Sequence, residues 1–174
     1  MKKVVLIAII ALLGFVKVNG QNSNISVVAG YHNLTIKANG GGMSASADGN
    51  GFFLGLSTQF LLSEKLFLNP EIHFASSTNE GESAEQVILP IMLKHPISDE
   101  FSLLAGPQFD LVVSDSDGIN AFGLGVGFGL SYNLSGKFFA STRYAIGLSN
   151  RLEDAPSGVN VKFNTFQAGI GYRF

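Results

Sequence analysis

The sequence predicts an all-β fold, an eight-stranded antiparallel up-and-down transmembrane β-barrel. Three observations lead there. First, Phe122, Leu124, Val126, Phe128, Leu130, Tyr132 and Leu134 alternate with Gly123, Gly125, Gly127, Gly129, Ser131 and Asn133. That is the period of a strand, with bulk on one face and almost no side chain on the other. Glycine weakens a strand unless something needs the room it leaves, so the glycine face suits a crowded barrel interior and the apolar face suits lipid. Second, seven further segments alternate in the same manner. Third, residues 21–174 contain no apolar run long enough to cross a bilayer as a helix, which needs roughly 20 residues, so entry into a membrane must be by strands.

Taken in order, the first strand is expected at 25–36, with Ile25, Val27, Ala29 and Tyr31 on one face and a phase change or bulge before Leu34 and Ile36. A glycine-rich loop, 39–51, leads to the second strand, 52–62, where Phe52, Leu54, Leu56, Phe60 and Leu62 share a face. The third, 66–75, sets Leu66, Leu68, Ile72 and Phe74 against Asn69, Glu71 and His73; Pro70 marks a bulge or a weak ladder position. After a polar loop, 76–85, the fourth strand, 86–95, turns Val87, Leu89, Ile91 and Leu93 outward. The fifth begins at Phe101 and opposes Leu103, Ala105, Pro107, Phe109 and Leu111 to Gly106, Gln108 and Asp110. Beyond the loop 114–120 comes the glycine-lined sixth. The seventh starts at Phe138 and places Ser141 and Arg143 inward, and the eighth ends with Ile170, Tyr172 and Phe174 outward and Gln167, Gly169, Gly171 and Arg173 inward. Long loops and short turns alternate along the chain.

The first twenty residues indicate the compartment. Lys2 and Lys3 precede the apolar run 4–15, and Val18-Asn19-Gly20 provides a peptidase site, so residues 1–20 read as a signal peptide and 21–174 as the barrel. Removing Lys2, Lys3 and Lys17 from 11 basic residues leaves 8 against 13 acids, a net charge of about −5, which argues against nucleic acid as a partner. There is no cysteine, hence no disulfide framework.

The ordered set of Leu89-Pro90-Ile91-Met92-Leu93-Lys94, Gly106-Pro107, Arg143-Tyr144 followed by Ile146-Gly147-Leu148, and the ending Gly169-Ile170-Gly171-Tyr172-Arg173-Phe174 resembles the eight-stranded outer-membrane barrels of the OmpX and OmpA transmembrane type. The resemblance is closer to the PorT-like outer-membrane β-barrel family and covers 21–174. It implies residence in the outer membrane with both termini periplasmic, and contact with outer-membrane lipid and lipopolysaccharide. It also implies recognition of the Ile170, Tyr172 and Phe174 signature by the barrel assembly machinery, with a larger outer-membrane complex as a further candidate partner. The alternative of a secreted lipocalin-like barrel fails on volume, because eight strands enclose too little space for all the large apolar side chains.

The inward phase collects Gln59, Asn69, Glu71, His73, Lys94, Gln108, Asp110, Arg143, Gln167 and Arg173. In a narrow lumen each charge needs a partner, so Glu71 and Asp110 are expected to pair with Lys94 and Arg143, with His73 part of the plug. Asp115-Ser116-Asp117-Gly118 begins like a calcium loop but lacks its later glutamate and reads as a solvated acidic turn. The string GLGVGFG lies inside a strand, where no helix N-terminus can receive a phosphate. No nucleophile and base stand together at an accessible rim. Neither an enzyme nor a cofactor or metal site is therefore expected. The reading is a filled barrel acting as a structural or interaction protein, with a narrow channel or carrier for a small or apolar solute as the alternative.

Overall fold

In the computed structural model, which describes residues 25–114 and 118–174, nine strand segments form one antiparallel sheet closed on itself. They are β1 Ser26–Gly40, β2 Met43–Ser57, β3 Phe60–Ser63, β4 Leu66–Asn79, β5 Glu82–Pro96, β6 Phe101–Val112, β7 Phe122–Asn133, β8 Phe138–Gly147 and β9 Asn160–Arg173. Apart from β2 and β3, neighbours in sequence pair with one another, and β9 returns to β1 from Ser26↔Arg173 to Asn39↔Asn160. β2 and β3 lie end to end along β4 and make one wall, so the barrel has eight walls. The export signal and the start of the processed chain at Gln21 lie outside the described residues.

The alternation has the physical consequence anticipated for it. On β7, Val126 is 39 % and Phe128 48 % exposed, while Gly123, Gly125 and Gly127 are buried. The same exposed apolar face runs round the wall through Leu54, Leu56, Ile91, Leu93, Leu103, Ile146 and Ile170. In water this continuous apolar surface would be a severe liability; in lipid it is the contact surface. Aromatic pairs bound it. Phe101 packs at a tilt against Tyr132 at 4.7 Å, and Phe138 meets Tyr172 at 5.1 Å and Tyr172 meets Phe174 at 5.2 Å edge to face, near the end that carries Ile25 and Phe174. Tyr31 and Phe166, and Phe109 and Phe122, meet at 6.4 and 6.2 Å toward the other end. From Tyr172 to Phe166 along β9 is roughly 20 Å, a distance suited to the lipid band of a small barrel.

Three sequence expectations need correction. The residues assigned to the loops 39–51 and 76–85 mostly continue their strands: β1 and β2 join through Gly41 and Gly42 (φ 59° and 79°), and β4 and β5 through Glu80 and Gly81 (φ 49° and 92°). Consecutive positive φ values are the geometry of a tight two-residue hairpin, which glycine adopts without strain. A 15-residue strand extends roughly 50 Å, so these hairpins pass well beyond a tilted lipid-spanning segment. Above the lipid both faces meet water, and alternation disappears; Met43–Asp48 is exposed throughout. Second, β1 has no phase change. Its register is unbroken against β2 and β9, and Leu34, 2 % exposed, follows His32 into the lumen.

Third, the wall strand expected at 52–62 is interrupted at Thr58 and Gln59. Pro70 stands opposite: its carbonyl accepts the Thr58 N–H at 3.1 Å, but it has no N–H to return. The register is the same on either side of this gap, so two ladder positions are lost without a slip, and the pairing shifts only beyond it, between Leu61 and Ser63. The weak position expected at Pro70 is thus present, and its effect falls on the partner strand as well.

Candidate functional site

The lumen is filled in tiers. At mid-height, β4 supplies Asn69, Glu71 and His73, β8 supplies Arg143 and β9 supplies Gln167. Glu71 is their centre: Arg143 Nη2 donates to its Oε1 at 2.5 Å, Asn69 Nδ2 donates to the same oxygen at 2.7 Å, and His73 Nε2 lies 2.7 Å from Oε2. The other histidine nitrogen is 3.2 Å from Gln167 Oε1, and the ring stacks at 4.9 Å on Phe53. A carboxylate removed from water is therefore met by three side chains, which is what makes its burial tolerable. Beside this tier Val28, Phe53, Ala75 and Ile88 form an apolar cluster, and Gln108 Nε2 donates to Thr165 Oγ1 at 3.0 Å. Gly127 leaves space between strands for Met92 and Arg143, whose atoms lie 3.4 and 3.6 Å from where its Cβ would be.

Toward the hairpin end, Asp110 on β6 meets Arg151 rather than an arginine or lysine of the wall. Arg151 comes from the loop 148–159, is 1 % exposed, and places Nη1 2.9 Å from Asp110 Oδ2. Its Nη2 donates to the Ala121 carbonyl at 3.0 Å, and its guanidinium lies 4.6 Å from the Phe163 ring centroid. Burial draws its pKa below the ordinary arginine range, and the Asp110 carboxylate opposes that loss. Asn150 buckles the loop: its Oδ1 accepts the N–H groups of Leu152 and Val161 at 3.1 and 2.8 Å, while its Nδ2 donates to the Val159 carbonyl at 3.1 Å. The absent side chain of Gly123, opposite Asp110 in the ladder, creates the room. A Cβ there would overlap the Arg151 guanidinium and crowd the Asp110 carboxylate.

At the terminal end, Lys94 donates to Gln59 Oε1 at 3.4 Å, and Arg173 donates to Asn133 Oδ1 at 2.6 Å with its guanidinium 4.7 Å from the Phe139 ring centroid. Between this floor and the mid-height tier is a cavity of about 30 Å³, room for little more than a water molecule.

The ten polar residues read as inward from phase therefore do point inward, but the pairing expected of them is half right. Glu71 joins Arg143. Asp110 and Lys94 do not join each other or the central pair, for a reason of height. Lys94 is opposite Phe67, four residues below Glu71, or roughly 13 Å along the strand. Asp110 is opposite Ile88, six residues above Lys94 on β5, or roughly 20 Å. Arg151 is not among the residues that strand phase predicts, because it belongs to a loop. The signal available was a lone arginine beside Glu153 and Asp154, facing a strand whose glycines left a space unexplained. Among the described residues no group of three or more metal-ligating side chains is present, and Asp115 and Asp117 lie outside them.

Comparison with known proteins places this geometry. Residues 6–174 match the family described as outer membrane protein beta-barrel domain. No curated protein matches the chain in sequence. Among solved structures it is similar to Ail, the attachment invasion locus protein of Yersinia pestis, at 20 % identity over 87 % of this chain and 99 % of that one, with a TM-score of 0.57. It is also similar to Neisserial surface protein A, at 16 % identity over 86 % of this chain and 97 % of that one, with a TM-score of 0.56. A de novo designed transmembrane β-barrel matches at 12 % identity over 90 % and 98 %, with a TM-score of 0.50. At these identities the structural likenesses speak for the fold alone.

Proposed function

The chain belongs to the outer membrane protein beta-barrel domain family, and from that premise we propose that it is a plugged barrel whose work is done outside the lumen, as a structural or interaction protein. The observation that carries this reading is the double obstruction. Glu71, Arg143, His73 and Gln167 close the middle, and Arg151 on Asp110 closes the hairpin end. The cavity between the middle tier and the terminal end, about 30 Å³, is too small for a solute. What is left for recognition is the surface beyond the lipid: the hairpins β1–β2 and β4–β5 and the loop 148–159, which present Asp48, Glu80, Glu82, Glu85, Glu153 and Asp154. The word attachment in the name of Ail describes that protein; here it is consonant with an interaction role.

The proposal includes export through a cleaved leader at 1–20, periplasmic termini, contact with lipopolysaccharide and lipid, and insertion by the barrel assembly machinery through Ile170, Tyr172 and Phe174. Docking in a larger outer-membrane complex and a place in the PorT-like branch rest on the sequence motifs. The test is electrical. In planar bilayers the refolded protein is expected to show no steady conductance, because charged side chains held by partners at two heights must move before ions pass. Stable open channels in the wild-type protein would instead establish the narrow-channel alternative.

A further inference from the structure

We propose that the mouth of the barrel at the terminal end binds a small phosphate-bearing anion through Lys94, Arg173 and Lys137. Elsewhere the lumen's charges are matched: Glu71 with Arg143, Asp110 with Arg151. This mouth breaks the pattern. Lys94 is 8 % exposed, yet its hydrogen-bond partner is the neutral Gln59 amide. Arg173 is hydrogen bonded to the amide oxygen of Asn133, and Lys137 donates to the Tyr172 hydroxyl at 3.2 Å. Among the described residues no carboxylate lies within 4 Å of any of these three cations. A buried ammonium without a counterion is costly, and an anion from outside the chain would remove the cost.

The space is shaped for such a visitor. A vestibule of about 590 Å³ opens at this end, and Gln59, Lys94 and Arg173 line both it and the small cavity below, forming the floor between the two. Lys137 stands at its rim, Ser102 adds a hydroxyl donor, and Asp99 is the one acidic side chain in the lining. Two or three cations converging with neutral donors on a pocket is the chemistry that holds a phosphate, the guanidinium by its fork and the ammonium as a point charge. The vestibule is much larger than a phosphate group, so the phosphate can carry a substituent. Two sources share this chemistry: a water-soluble phosphate compound entering along the barrel axis, and a phospholipid headgroup entering over the rim past Lys137 and Tyr172.

The test uses the full barrel refolded in phosphate-free maltoside micelles, with amide chemical shifts followed during two titrations, one with inorganic phosphate and one with phosphatidylglycerol. Saturable shifts are expected at Lys94, Asn133, Lys137 and Arg173. Lys94→Gln and Arg173→Gln should each weaken binding by about tenfold or more, the effect of losing one charged hydrogen bond. Lys65→Gln, in a neighbouring turn outside the pocket, should leave it unchanged. Tighter saturation by the lipid assigns the headgroup source, and tighter saturation by inorganic phosphate assigns the soluble one. Lys94→Met keeps the aliphatic packing and replaces Lys94→Gln if that variant does not refold. The proposal is overturned if neither ligand gives saturable shifts at the mouth of the wild-type barrel, or if binding survives both charge removals in variants with intact barrel spectra.

Discussion

Replacing Arg143 with alanine is expected to lower the stability of the refolded barrel by about 3–5 kcal/mol, the range for removing one partner of a buried ion pair. The magnitude follows from what is left behind. Glu71 would retain Asn69 and His73 but lose the guanidinium at 2.5 Å, in a part of the lumen closed to bulk water. The loss should come mostly from the stranded carboxylate, not from the pair's own attraction, and this distinction can be measured. In a Glu71→Gln background, Arg143→Ala should cost much less, because the remaining amide carries no charge. Glu82→Gln, in the exposed part of β5, should change stability by less than about 0.5 kcal/mol. Denaturant unfolding of the wild type and these four variants in one detergent makes the comparison. Equal, small losses at Arg143 and Glu82 would mean that the central tier does not hold the barrel together.

Arg151→Ala is expected to have the next largest effect, about 2 kcal/mol, below the range for a fully enclosed pair because Asp110 keeps some contact with solvent near the mouth. Three contacts end together: the Asp110 ion pair, the bond to the Ala121 carbonyl and the stack on Phe163. The loop 148–159 should then become more sensitive to proteolysis while the wall strands stay protected. Gly123→Ala should reproduce much of this loss, since its methyl group would occupy the guanidinium's place. In the Arg151→Ala protein the same methyl group should cost far less, because the space it fills is already empty. Fully additive losses would show that Gly123 and Arg151 are not coupled as the geometry requires.

The contrast between Arg143 and Arg151 also shows how far the sequence carries. Arg143 lies in a segment where lipid on one side and lumen on the other impose a period of two, so its direction follows from counting. Its meeting with Glu71 follows because the two stand at similar heights on their strands. Arg151 is in a loop with no such constraint, and only the folded loop brings it over Gly123. The hairpin strands failed to announce themselves for a related reason: beyond the lipid, Met43–Asp48 has water on both faces, so nothing selects alternation. Gly41-Gly42 and Glu80-Gly81 are the legible marks of tight turns there, but within polar stretches the same composition suits a loop. Leu34 and Ile36 suggest a phase change only if every apolar residue faces lipid, and the lumen contains an apolar cluster of its own.

The central claim is that one face of each wall strand meets lipid and the other meets a filled lumen. Because the chain contains no cysteine, single cysteines can be introduced along β7 without background and labelled with a fluorophore in vesicles containing brominated lipid. Labels at Leu124, Val126, Phe128 and Leu130 are expected to be quenched strongly, whereas cysteines at Gly127 and Ser131 should label poorly and, where labelled, be quenched little. Quenching that rises and falls smoothly along 124–131 without alternating, or that is absent at every position, would contradict the account.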